Sequence, residues 1–215
     1  MKRAILRTAA TLATLAFLAT PLLAADPATG TEGMPAMDPQ MKAFMEACMK
    51  AGTPGTEHKL IQSMAGTWDF SMTHWMAPDS PPMVDKGTSI IKPLFDGRYV
   101  QEEVAGTSVM PGMPGPFRGL GISGYDTTKQ KYTSVWIDNM NTAVMTSLGD
   151  CDEQMKNCTY VGTYDDPLTK KPMTMRMVFT TPEANKRVGE FYMPGLDGKE
   201  YKGMVITYTR KSPQM

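Results

Sequence analysis

From Thr67 to Arg210 the chain is a series of short segments rich in aromatic and β-branched residues, broken by turn signals. Ten strands are read, at about 67–76, 84–92, 98–106, 116–125, 131–139, 142–150, 158–164, 173–181, 187–193 and 200–210. Their connectors include YDTTKQK, DDPLTKK, TPEANK and PGLDGK. A parallel crossover needs a dozen residues or more, so consecutive strands should pair antiparallel as a meander. A long meander must dispose of its two edges, and closing into a barrel does so. The expected class is all-β, an antiparallel barrel of about ten meander strands. An open sandwich is the alternative.

One or two short helices should precede the strands. Asp38 and Pro39 supply an N-cap and a first-turn proline, MKAFMEACMKA follows, and Gly52 ends the run. Thr56 opens a second short helix, EHKLIQSMA, which stops at Gly66. The chain divides into a leader (1–25), a Pro/Gly-rich flexible segment (26–37), a helix with linker (38–55) and the barrel domain (56–211).

The leader has the charged start, apolar run and small-residue exit of a secretory signal peptide. It carries Lys2, Arg3 and Arg7, then Ala9 to Leu23, then Ala24 and Ala25. A membrane anchor is the alternative, but a span takes about 20 apolar residues and Pro21 interrupts this run. Cleavage is expected after Ala24 or Ala25, giving an exported protein, periplasmic or secreted, with no stable membrane anchor. Losing Lys2, Arg3 and Arg7 takes 22 basic residues to 19 against 22 acidic, a net charge near −3. That balance offers no electrostatic reason to bind nucleic acid. Oligomeric state is not encoded in these patterns.

An oxidising compartment changes how the three cysteines are read. Cys151 and Cys158 flank DEQMKN, a polar hairpin turn, so the two strands leaving it should oppose them at disulfide distance. Zinc is the rival, but two cysteines without nearby histidines make a poor site. Cys48 is left over and is expected to be buried in the first helix.

The segment RGLGISGYD contains G-x-G-x-x-G at Gly119, Gly121 and Gly124. A dinucleotide loop must run straight into a helix, whose N-terminus holds the pyrophosphate. Here the strand YTSVWID follows instead, so nucleotide binding is excluded. Gly119 and Gly121 share one strand face, and a bare face admits a sharp bend or a large side chain lying against it.

Three stretches carry a resemblance. They are EHKLIQSMAGTWDF with WMAPDSPP, GRYVQEEVAG with FRGLGISGYD, and YTSVWIDNMNTAVMTSLGDCD with YDDPLTKK and DGKEYKGMVITYTRK. In this order, over about residues 54–211, the chain resembles the bacterial exported family called domain of unknown function 1579. The resemblance implies a lipocalin-like (calycin-type) barrel and no particular activity. Gly66-Thr67-Trp68 also resembles the G-x-W that opens lipocalin barrels, where the Trp plugs one end against an Arg near the last strand. Arg210 is the matching residue, and a guanidinium can stack on an indole face. The resemblance places no fixed His or Cys at His74 or Cys48, so neither carries a chemistry shared by the family.

Enzyme motifs are scarce. His58 lies in the short pre-barrel helix, in a capping or packing role. His74 alternates with Trp68, Phe70 and Met72 and should face the interior. No H-E-x-x-H, Walker loop, calcium loop or nucleophile elbow is present, so no catalytic residue, cofactor or resident metal is assigned. Asp165 and Asp166 precede Pro167 and belong to a turn. In VWIDNMN, Trp136 and Asp138 share a face and could orient a ligand with a polar end. Tyr99 and Glu103, in GRYVQEEV with Arg98 and Glu102, are further ligand candidates, although alternation turns only half of them inward.

Methionine is abundant, with 21 residues. Met41, Met45 and Met49 form a helix stripe, and Met173, Met175 and Met177 share a strand face. Thioethers bind Cu(I), yet they also line adaptable apolar pockets. Met34, Met37, Met110 and Met113, in Pro/Gly loops, are the first places to look for copper. The favoured expectation is an exported, non-enzymatic barrel binding a small, largely apolar molecule at Trp136, Asp138, His74, Tyr99 and Glu103. The alternatives are an enzyme using a polar cluster in the same cavity, and a Met-rich Cu(I)-binding protein.

Overall fold

The computed structural model describes residues 38–107, 115–167, 169–195 and 197–212. The leader, Met34, Met37, Met110 and Met113 lie outside the described residues. The element order is α1 (Pro39–Ala51), α2 (Thr56–Gln62), β1 (Gly66–His74), β2 (Met83–Leu94), β3 (Tyr99–Gly106), β4 (Arg118–Asp126) and β5 (Lys131–Asp138). Then follow β6 (Met145–Cys151), β7 (Asn157–Asp165), β8 (Pro172–Glu183), β9 (Lys186–Pro194) and β10 (Glu200–Arg210). Each strand pairs antiparallel with its chain neighbours, and β1 pairs β10, so the meander closes into a lipocalin-like barrel.

Alternation along the strands fills the interior. On β1 the inward series is Trp68, Phe70, Met72 and His74, facing Arg210, Tyr208, Ile206 and Met204 of β10 in register. Buried Tyr132, Tyr160, Met177, Phe191 and Tyr208 join this core. The aromatic rings interlock edge-on: Tyr160 meets Phe179 at 5.9 Å, and Phe179 meets Phe191 at 5.7 Å. Such pairs add about 0.5–1.5 kcal/mol beyond the area they bury.

The end that holds Trp68 is closed. Short connectors at 95–98, 127–130, 152–156 and 184–185 lie there, together with α2. The turn 95–98 bends through positive φ at Phe95 (48°), Asp96 (56°) and Gly97 (81°). Gln62 of α2 reaches over it and donates to the Gly97 carbonyl at 3.2 Å. The positive φ at 97 favours glycine, and a Cβ there would push the Gln62 amide out of its bond. His58, 5% exposed, caps α2: its Nδ1 accepts the Gly55 N–H at 3.0 Å.

Helix α1 keeps the expected Asp38 cap, with the carboxylate accepting the Gln40 N–H at 3.1 Å. It buries no residue, however, and Cys48 is free and exposed. That corrects the expectation of a buried thiol. The stripe of Met41, Phe44, Met45 and Met49 is exposed as well. A helical apolar stripe marks a face, and here no element of the described chain covers it. Its one described side-chain tie to the barrel is Thr127, whose hydroxyl donates to the Ala51 carbonyl at 2.8 Å.

Candidate functional site

The closed end is organised by Trp68 and Arg210, which stand opposite each other in register. The Arg210 guanidinium lies 4.1 Å from the Trp68 ring centroid. It donates to the carbonyls of Ala65 and Ser63, which cap the turn after α2. Trp68 is 2% exposed, and its indole N–H donates to the Met64 carbonyl at 3.0 Å. The indole N–H and both terminal nitrogens of the guanidinium are thereby engaged, and a buried indole requires such a partner.

Two clefts open beside this plug, one on each side of α2. The larger, about 410 Å³, is lined by Glu57, Tyr125, Tyr132, Asp150 and Glu153. The smaller, about 280 Å³, is lined by Leu60, Met64, Trp68, Phe179, Arg187 and Arg210. The disulfide divides them: Cys151 lines the first and Cys158 the second. Cys151 and Cys158 are direct partners across the β6–β7 hairpin and are bonded to each other.

Arg187 is the unusual group of the smaller cleft. Its guanidinium stands 5.0 Å from the Phe179 ring centroid and 5.9 Å from that of Tyr208. Among the described residues it has neither a carboxylate partner nor a hydrogen bond. Its fork of five N–H donors is therefore uncommitted, beside the rings of Phe179 and Tyr208. Burial, and then the charge of Arg187, pull Arg210 below the usual guanidinium range. The cleft is thus electropositive over an apolar floor.

The opposite mouth holds Trp136, Asp138 and His74. Trp136 lies across the bare face made by Gly119 and Gly121: a Cβ on Gly119 would come within 2.3 Å of the indole. The indole N–H donates to Asp138 Oδ2 at 2.9 Å, and Phe117 stacks on the ring at 6.3 Å. Asp138 Oδ1 accepts the Met140 N–H at 2.9 Å, so this carboxylate is tied into the turn after β5. Trp136 and Asp138 are brought together, but His74 stands on β1, on another wall of the barrel.

Tyr99 and Glu103 require correction. The β3 residues that face the lumen are Val100, Glu102 and Val104, so Tyr99 and Glu103 point outward. Tyr99 covers Gly124 from outside, and Glu103 accepts from Gln101 at 2.8 Å on the same outer face. Glu102 is the interior carboxylate of β3, accepting the Ser89 hydroxyl at 2.6 Å. None of Trp136, Asp138, His74, Tyr99 and Glu103 lines either cleft. The cleft group that sequence reasoning missed is Arg187. Its only sequence signal was a charge alternating with inward Gly189 and Phe191 on β9.

His74 is unlike the other interior polar groups. Both its ring nitrogens are shielded from solvent, and neither has a hydrogen-bond partner. Each unmade bond of a buried polar group costs about 1–3 kcal/mol. Its direct cross-strand partners are both methionines, Met83 on β2 and Met204 on β10.

A closed ten-stranded antiparallel barrel, plugged by a Trp–Arg pair and entered beside a capping helix, defines a lipocalin-like protein. The chain belongs to the family described as "Protein of unknown function (DUF1579)", whose model matches residues 53–210. Among solved structures it is similar to a redesigned β barrel at 16% identity, covering 75% of this chain and 100% of that one, with a TM-score of 0.35. No curated protein matches the chain.

Proposed function

We propose that this is an exported carrier for a small, largely apolar molecule with an acidic end. The ligand lies in the smaller cleft beside α2, its apolar body against Trp68, Phe179 and Leu60, its anionic head on Arg187. The single observation that carries this is the uncommitted Arg187 guanidinium, held over aromatic rings in a cleft with no counter-charge. A guanidinium fork pairs with a carboxylate through two parallel, charge-assisted hydrogen bonds. Pockets of this type combine apolar walls with a few orienting polar groups. Export is supported by the leader pattern and by the Cys151–Cys158 bridge. Among the described residues no helix is long and apolar enough to cross a membrane.

An enzyme built on His74 with Glu103 or Asp138 lacks this kind of support. Glu103 faces outward, and Asp138 is committed to Trp136 and its own turn.

Calorimetry with octanoate and its uncharged counterpart octanol tests the proposal. Octanoate should bind about tenfold tighter or more, and Arg187→Gln should abolish the difference while the thermal midpoint stays within a few degrees. Equal binding of the two probes, or an unchanged preference in the variant, would overturn it.

A further inference from the structure

The mouth of the barrel, opposite the cleft just described, carries a second chemistry. On β1, Met72 and His74 face the lumen, and His74 is flanked in register by Met83 and Met204. Directly opposed residues bring their Cβ atoms to about 4.5–5.5 Å, and methionine has three rotatable bonds with which to aim its sulfur. Four side chains from three adjacent strands thus bring one imidazole and three thioethers to one place. Met72 and Met204 pack on the core, which fixes their stems, while Met83 is 37% exposed at the rim.

The imidazole is available. Both its nitrogens are buried and unpartnered, so no protein group has to be displaced for one of them to act as a ligand. In an apolar barrel that arrangement is costly unless something occupies it. Among the described residues no group of three His, Cys, Asp or Glu is placed to hold a metal. One carboxylate, Asp85, stands opposite Met72 on the same face, but it already accepts the Lys86 N–H and the Thr107 hydroxyl. A single carboxylate with one imidazole falls short of the oxygen cage a hard ion needs and of the four ligands of a zinc site. One imidazole with thioethers is a soft set, and soft thioether ligands select Cu(I).

We propose that His74, Met83 and Met204, with Met72 behind them, form a Cu(I) site at the mouth of the barrel. Binding needs the neutral imidazole and no covalent or redox step: the ion enters as Cu(I) past Met83 and is held by one nitrogen and two or three sulfurs. The site is independent of the Arg187 cleft and lies at the other end of the strands.

The test is an anaerobic titration of the purified chain with Cu(I), using bathocuproine disulfonate as competitor and following the methionine methyl signals by NMR. One equivalent should be retained, and the Met83 and Met204 methyls should move together with the His74 ring signals. His74→Leu should weaken retention by about tenfold or more. Met83→Leu, at an exposed rim position that leaves the core intact, should do the same. Met45→Leu in α1 should have no effect, and octanoate binding should survive in every variant. Failure to retain Cu(I), retention unchanged in both His74→Leu and Met83→Leu, or movement confined to the α1 methyls would each overturn the site.

Discussion

At the α2 end of the barrel the connectors are 95–98, 127–130, 152–156 and 184–185; at the mouth they are 75–82, 107–117, 139–144, 166–171 and 195–199. The short set leaves little room, and that end is filled by Trp68, Arg210, α2 and a disulfide. Partly buried apolar side chains occur at both ends, Met64, Tyr125 and Met155 at the closed one and Trp136, Met72 and Met204 at the mouth. Each end sets a tryptophan against a polar partner, Arg210 for Trp68 and Asp138 for Trp136, and the mouth carries Trp75 besides. The difference lies in what surrounds the pair. Trp68 is 2% exposed, showing only an edge to the smaller cleft, whereas Trp136 lies partly buried on a bare glycine strip.

The sharpest way to break this comparison is to remove each indole. Trp68→Ala should cost about 3–5 kcal/mol, because it empties a fully buried site and strands the Arg210 charge. Trp136→Ala should cost roughly 1–2 kcal/mol, since part of its surface is already exposed. Denaturant unfolding of both variants measures the gap. Equal losses would mean that the mouth is packed as tightly as the closed end.

The disulfide comes next. Cys151 and Cys158 are separated by 7 residues, and a loop of that size gives about 2–3 kcal/mol by chain-entropy arguments. The Cys151→Ala/Cys158→Ala pair should lose that much, and it should also loosen the wall between the two clefts. Octanoate affinity should then fall by more than thermal stability alone explains. A variant that loses stability but binds octanoate unchanged would show that the bridge serves only the fold.

Why strands were easy to place and the site was not follows from what each depends on. Strand identity is local. Trp68, Phe70, Met72 and His74 declare their own alternation, and short connectors leave little choice but a meander. Closure was legible for the same reason. The phase of GRYVQEEV was not, because aromatic and acidic residues occupy both parities; Val100 and Val104 set it, turning Tyr99 and Glu103 outward. Glu102 has its partner Ser89 on β2, 13 residues away, a contact that only the β2–β3 register creates. Arg187 becomes notable only once β8, β10 and α2 are assembled around it. Cys48 misled because an amphipathic helix normally buries its stripe, and α1 has nothing in the described chain to bury it against.

The smallest effect at neutral pH, and the finest probe of the two ends, comes from two tyrosines on β7. Tyr160 and Tyr164 both point inward, the first toward the closed end and the second toward the mouth. Burial raises Tyr160 to about 12, partly offset by Arg187. Burial also raises Tyr164, with help from Asp166 and Tyr201. A phenol raised above its unfolded value of about 10 favours the fold in its neutral form. That contribution is complete below pH about 10 and is lost as pH rises toward about 12. Tyr160→Phe should therefore leave stability at pH 7 nearly unchanged and make the alkaline loss shallower. Tyr164→Phe should change the alkaline loss less, because its ring is nearer solvent. Tyrosinate absorbance followed against pH, beside thermal midpoints at each pH, separates the two. If both variants alter the alkaline limb equally, the lumen has one environment from end to end and the contrast between plug and mouth is wrong.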